Sequence, residues 1–236
     1  MKFKQLSMTI AALCVAGSAL AAPAAGPIAQ PKLGMVYDAG GKFDKSFNQS
    51  AFEGLQRFSK ETGVKVFEVQ ANSDTQAEQV MRGLARKKVD MIAAIGFSQT
   101  QAVQKVAREF PNVRFVLIDS VAQGANIESV MFKEQEGSYL VGVAAAMASK
   151  SKKLGFVGGM DIPLIRAFAC GYNQGAKAQA PKIEIVQNMV GTTAAAWNDP
   201  AKGGELARAQ FDRGVDVVFA VAGGSGMGTL QMAKEK

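Results

Sequence analysis

The sequence predicts an α/β fold built on parallel sheets, and two observations carry that expectation. Short apolar runs alternate with amphipathic segments along most of the 236 residues, the order that gives parallel strands joined by right-handed helical crossovers. Turns rich in Gly, Asn, Asp and Ser fall where the apolar runs end, the place where an open α/β sheet presents groups to a ligand.

Taken in order, Leu33–Tyr37 reads as a buried strand, and Ser46–Glu61 as a helix with Ser46 as its N-cap and Phe47, Leu55 and Phe58 on or near its apolar side. Val64–Val69 is the next strand, and Asn72-Ser73-Asp74 caps the helix Thr75–Lys88. Met91–Ile95 is apolar throughout, as a strand covered on both faces should be. Gln99–Phe110 is a helix stopped by Pro111, and Arg114–Ile118 is the strand after it. Ser129–Phe132 is a short strand, followed by the small-residue helix Gly137–Ser149. A second series begins with the strand Leu154–Val157 and the helix Pro163–Ala178. It continues with strand Ile183–Gln187, helix Pro200–Arg213, strand Val215–Val221 and a helix starting near Gly226. The two series predict an N-terminal lobe over residues 33–136 and a second lobe over 137–236, with a cleft between them. The last residues, Thr229–Lys236, lie inside a helical pattern with no cap or glycine stop, so a continuing chain and an incomplete second lobe are expected.

Residues 1–21 have the pattern of a signal peptide. Lys2 and Lys4 precede the apolar run Leu6–Ala16, too short to span a bilayer, and Ala19-Leu20-Ala21 supplies small residues for cleavage before Ala22. Cys14 sits within the apolar run behind the large Leu13, a poor lipidation site, so export to the periplasm as a free protein is expected, with 22–32 a disordered Ala/Pro-rich leader. Cleavage leaves Cys170 alone, a small core residue inside its helix, and no internal disulfide. These residues contain no histidine, so a Ser-His-Asp triad or a His/Cys zinc site cannot be assembled from them. The formal charge is +7, but the lysines are scattered and form no aromatic-interleaved stripe, which argues for solvated faces and no nucleic-acid partner.

The residues able to carry chemistry cluster at strand ends. Asp38 closes the first strand, where a carboxylate either accepts from a ligand's hydroxyls or closes an Asx-turn over Ala39-Gly40-Gly41. Phe47, in the first helical turn, either packs down as a staple or stands over a ligand. Asn48 beside it offers a donor and an acceptor to one ligand edge, or is simply solvated. Asp119 ends the strand Arg114–Ile118 on the same crevice edge as Asp38. A pair of carboxylates also suits acid–base hydrolysis, but a clamp on a polar ligand needs no tuned acid and is preferred. Trp197, the only tryptophan, lies among small residues before a helix start, suited to a ring platform or to an interdomain anchor. Asp199 with Pro200 reads as N-cap and N1 of the following helix, a structural role first, and Asp199 is carried as a weaker ligand-binding candidate. Gly223-Gly224-Ser225-Gly226 lacks the third glycine of a dinucleotide fingerprint, and its backbone N–H groups are expected to approach a ligand instead.

Five ordered segments add a resemblance. Tyr37–Gly41 with Asp44–Gln49, Phe132–Val143, Gly158–Pro163 with Phe168 and Gly171–Lys177, Trp197–Gly203, and Ala222–Gly226 resemble motifs of the basic membrane protein family of ABC-transporter substrate-binding proteins, which includes purine-nucleoside receptors. The resemblance implies a type I periplasmic-binding-protein fold, two Rossmann-like lobes around a hinged cleft. It implies no enzymatic activity and no cofactor or metal; the expected partners are a nucleoside-like ligand and an inner-membrane ABC permease, with the protein a monomer. The alternative is the same fold binding a sugar, free purine or flavin, or presenting its ligand to a membrane sensor. It further implies that Phe47 and Trp197 sandwich the base, that Asp38 and Asn48 make polar contacts from the first lobe with Asp119 near them, and that the Gly223 and Gly224 backbone faces the ligand. Lys42 and Phe43 stand at turn positions where the family commonly has polar or acidic residues, and the family's chain continues beyond this one with further acidic contacts.

Overall fold

The computed structural model describes residues 30–236, and the signal peptide and most of the leader expected from the sequence lie outside the described residues. Residues 31–236 form one compact unit around two parallel sheets. The first holds five strands in the order β2-β1-β3-β4-β5: β1 (Leu33–Tyr37), β2 (Val66–Gln70), β3 (Met91–Ile95), β4 (Arg114–Ile118) and β5 (Ile127–Val130). The second holds β6 (Lys153–Met160), β7 (Glu184–Gly191) and β8 (Val217–Val221), with β6 in the middle. All pairings are parallel, as the alternating pattern predicts.

Strand alternation decides which helix covers which face. Val36, Ile92, Ala94, Phe115 and Leu117 point one way, into a core completed by α2 (Asp74–Arg86) and α3 (Thr100–Glu109). Leu33, Met35, Ala93 and Ile118 point the other way, toward α1 (Phe47–Thr62), which leaves an apolar groove beside it. Helices therefore wrap both faces, and the winding reverses between β1 and β3. The carboxyl ends of those two strands open onto a crevice there, the usual ligand position in such sheets. In the second sheet α4 (Glu134–Ala148) and α5 (Pro163–Gln179) share one core with Leu154, Phe156 and Ile183. Against the other face, α6 (Pro200–Asp212) packs on Val157, Val190 and Val218, with α7 (Gly226–Glu235) beside it. Its reversal point lies between β6 and β8.

Two buried glutamines fasten the strands on either side of each reversal or next to it. Gln99 Nε2 donates to the carbonyls of Val36 (2.9 Å) and Ile95 (2.8 Å). Gln210 Nε2 donates to the Phe156 carbonyl (3.1 Å) and to Asn188 Oδ1 (2.9 Å). Neither was distinguished in the sequence from an ordinary helix glutamine.

Several boundaries differ from the sequence expectation. The fifth strand is Ile127–Val130, not Ser129–Phe132, because Phe115 N–H bonds the Asn126 carbonyl and sets the register earlier. Helix α4 starts at Glu134, three residues before the expected start at Gly137, its first turn carrying Glu134 and Glu136 as a helix N-terminus favours. Strand β6 runs through Gly158 and Gly159 to Met160, beyond the expected end at Val157. Cys170 is exposed, not in the core. The buried stripe of α5 is Ile165, Ala169, Tyr172 and Ala176, and position 170 is rotated off it.

Candidate functional site

A cavity of about 380 Å³ lies between the carboxyl ends of the two sheets. From the first sheet it is lined by Asp38, Phe47, Asn48, Phe97 and Asp119, and from the second by Phe168, Trp197, Phe219 and Gly223. Among the described residues that line it, none is lysine or arginine.

Asp38 is fixed by its neighbours. Its Oδ1 accepts the Gly40 N–H (2.9 Å) and the Asn48 side-chain amide (2.8 Å), and its own N–H reaches Asn48 Oδ1 at 3.3 Å. Of the two expected alternatives the Asx-turn is formed, through Oδ1, and the residue that forms it also lines the cavity. Oδ2 points at Gly96, whose backbone has φ +111°; a Cβ there would stand 2.5 Å from that oxygen. Gly96 is accordingly required twice, by its positive φ and by the carboxylate above it. Burial raises the Asp38 carboxyl above its usual range, the hydrogen bonds from Asn48 and Gly40 oppose this, and the Asp44 charge adds to it.

Asn48 is 1% exposed, and its side chain is engaged within the protein, the amide also donating to Asp44 Oδ2 at 3.1 Å. The sequence alternatives, a ligand donor and acceptor or a solvated residue, both miss this holding role on Asp38. The expected N-cap of α1, Ser46, makes no capping bond. Asp44 takes that role: Oδ1 accepts the N–H groups of Ser46 (2.8 Å) and Gln49 (3.1 Å), and Oδ2 that of Asn48 (3.0 Å). A carboxylate two residues earlier reaches three free N–H groups where one hydroxyl could reach only one.

Asp119 follows β4 with φ +64°, an uncommon conformation that Asp tolerates better than most residues. Its carboxyl is pushed up to about 6, by burial first and then by the charges of Glu134 and Asp38. Lys42 and Phe43 turn away from the cavity: Lys42 Nζ lies 2.6 Å from Glu68 Oε2 and 3.8 Å from the Phe52 ring centre, and Phe43 meets Phe52 edge-on at 5.5 Å.

Phe47 is half-buried and lines the cavity from the start of α1. Trp197 closes a short 3₁₀ turn, Ala194–Trp197, after β7. Its indole lies on Gly159, where any Cβ would collide with the ring. Phe97, in the turn after β3, meets the Trp197 ring edge-on from the opposite sheet at 5.9 Å. Gly223 lines the cavity; Gly224 is buried behind it, next to the Gly40 carbonyl. Asp199 does not line the cavity, and its Oδ1 caps α6 by accepting the Lys202 N–H at 2.9 Å. Sequence reasoning missed Gly96 and Phe97; the single available signal was their place just past a strand end.

The chain and the fold that carry this cavity have counterparts among known proteins. The family model described as "ABC transporter substrate-binding protein PnrA-like" matches residues 31–236. The chain belongs to the Bmp family. Among curated relatives it is 39% identical over 210 residues to the "ABC transporter nucleoside-binding protein BmpA" of Lactococcus lactis, covering 86% of this chain and 58% of that protein. It is 37% identical over 206 residues to a "CD4+ T-cell-stimulating antigen" of Listeria monocytogenes, covering 85% of this chain and 57% of the relative. The chain thus spans less than two thirds of the length of these relatives. A crystal structure of an ABC transporter solute-binding protein from Aeropyrum pernix superposes with a TM-score of 0.77 at 31% identity, covering 87% of this chain and 59% of that one. The fold of this Bmp-family chain is therefore the type I periplasmic-binding-protein fold, as the resemblance implies. Among the described residues no helix is long and apolar enough to cross a membrane.

Proposed function

We propose that this chain binds a purine nucleoside in the cleft and belongs to a receptor that delivers it to an ABC importer. The observation that carries the reading is the joint lining of one cavity by the carboxylates of Asp38 and Asp119, with Asp44 beside them at the start of α1, and by the rings of Phe47 and Trp197. Carboxylates accept from hydroxyl and imino groups, and aromatic faces stack on a flat base. No cation lines the described cavity to balance a phosphate, which favours a nucleoside over a nucleotide. The Lactococcus relative, named a nucleoside-binding protein, supports the same reading. Asp38, Phe47, Asp119, Trp197 and the Gly223 backbone are the proposed contacts, with Asn48 holding Asp38 and Gly224 behind Gly223. Asp199 is left as a helix cap. Residues 1–21, read as a cleavable signal, would direct the protein to the periplasm, and the ligand leaves unchanged.

Calorimetric titration with guanosine, adenosine, inosine, uridine, ribose and guanine tests this. Purine nucleosides are expected to bind at micromolar dissociation constants or tighter, about −8 kcal/mol or better, with ribose and free guanine far weaker. Chromatography of the recovered ligand should show it intact. No binding by any purine nucleoside overturns the assignment, and release of a free base would replace it with a hydrolase.

A further inference from the structure

The contact between Phe97 and Trp197 is the aromatic pair that spans the cleft. Phe97 follows β3 of the first sheet, Trp197 follows β7 of the second, and their rings meet at 5.9 Å and 69°. Both are held by hydrogen bonds on their own side. The Thr100 hydroxyl donates to the Phe97 carbonyl at 2.6 Å, and the Gln99 amide ties the same turn to β1 and β3. The Ser225 hydroxyl donates to the Ala196 carbonyl at 2.8 Å and accepts the Asp199 N–H at 2.7 Å, so the turn carrying Trp197 is anchored beside α6. Gly159 supports the indole from below. The indole is thus in contact with Gly159 of its own sheet and, edge-on, with the Phe97 ring of the other, and both rings line the cavity.

We infer that Phe97 is a specificity-determining residue: from across the cleft it fixes the pose of the Trp197 indole, and through that pose the site prefers a bicyclic ring to a monocyclic one. This rests on the nucleoside reading. The physical basis is stacking area. A purine covers more of an aligned indole face than a pyrimidine does, so it loses more when the face can tilt. Shortening residue 97 removes the edge contact and opens space for the indole to rotate, which penalises the larger ring selectively. A residue that merely filled volume would weaken both ring classes alike.

Trp197 is the only tryptophan of the chain, so its emission reports this wall directly. The experiment compares wild type, Phe97→Leu, Phe97→Ala and Phe97→Tyr by tryptophan emission, acrylamide quenching and titration with guanosine, inosine, uridine and cytidine. Phe97→Leu keeps apolar volume and guards against a variant that fails to fold. The expected result is faster quenching of Trp197 in Phe97→Leu and Phe97→Ala, and a purine-to-pyrimidine affinity ratio that falls by about two- to tenfold, the range one aromatic pair supports. Phe97→Tyr, which keeps the ring, should restore both. Unchanged quenching, or equal losses for purines and pyrimidines, overturns the inference. A wild type that binds none of the four would remove the nucleoside reading and the ring preference with it. Wild-type binding with equal losses in the variants removes only the role of Phe97.

Discussion

At the scale of single residues, Asp119 connects the site to pH. Its carboxyl is raised to about 6 in the fold, against about 3.9 in an unfolded chain. The native state therefore holds this proton more tightly, and the Asp119 contribution to stability falls as pH rises from about 4 to 6. The sign is opposite to that of Glu78 and Glu109, whose carboxyls are held low by Lys105 and Arg82 in the first case and by Arg82 in the second. Comparing wild type with Asp119→Asn isolates the term: chemical denaturation across pH 4 to 7 should show the variant gaining relative stability as pH rises, and a parallel pair of curves would refute it. Ligand donors that pair with the ionised carboxylate should bind more tightly as pH rises through about 6, a dependence that Asp119→Asn flattens. Asp38, Asp119, Phe47 and Trp197 could be picked out from sequence because strand ends and helix starts are readable. Phe97 could not, since its partner is set by how two sheets face each other. Asn48 was readable as polar, but its burial followed only from the turn folding back over it.

At the scale of elements, the helices carry glycines of two kinds that sequence alone does not separate. Gly171 and Gly175 on α5 sit against the Gln135 and Tyr139 carbonyls of α4, and Gly142 on α4 sits against the Tyr172 carbonyl, so the two helix backbones nearly touch. Gly83 on α2 has open space where a Cβ would go. Alanine at position 83 should stabilise the protein by about 0.5–1 kcal/mol, the usual gain from relieving a helix of glycine. Alanine at position 175 should destabilise by about 1–3 kcal/mol despite the same local gain, because a backbone has to move. Urea denaturation of both variants checks the pair; a stabilising Gly175→Ala would mean that α4 and α5 separate without cost. The alternation of strands and helices was legible because each element states its own period. The start of α4 was not, because its first turn is fixed by the crossover from one sheet to the other and by packing on α5. Nor was the extension of β6 through Gly158 and Gly159. The apolar run ends at Val157 in the sequence, whereas the strand continues and Gly159 keeps its surface low enough for the Trp197 indole to lie on it.

At the scale of the whole molecule, the two sheets approach each other through glycine. A Cβ at Gly224 would come within 3.4 Å of the Gly40 carbonyl on the far side of the cleft, and one at Gly223 would lie 3.9 Å from Asp44 Oδ2. These turns belong to the two reversal points, so the same residues that make each crevice also set how closely the crevices meet. Beside them, the Phe97–Trp197 contact is the aromatic part of the same seam. A receptor of this fold that closes on its ligand must bring these surfaces together, and the closeness it reaches is limited by the smallest side chains in the seam. Leucine at position 224 would meet the Asn198 side chain and the Trp197 carbonyl of its own sheet first. Its longer side chain would then press on the Gly40 carbonyl across the cleft, a contact that moving the sheets apart relieves. Gly224→Leu should therefore leave the far-UV circular dichroism unchanged and increase the radius of gyration measured by small-angle scattering with ligand present. Binding should weaken for purine and pyrimidine nucleosides by a common factor, in contrast to the selective loss expected for Phe97→Leu. A variant that scatters as the wild type does and binds as well would show that the ligand is held without this approach of the two sheets, and that the glycine seam belongs to folding instead.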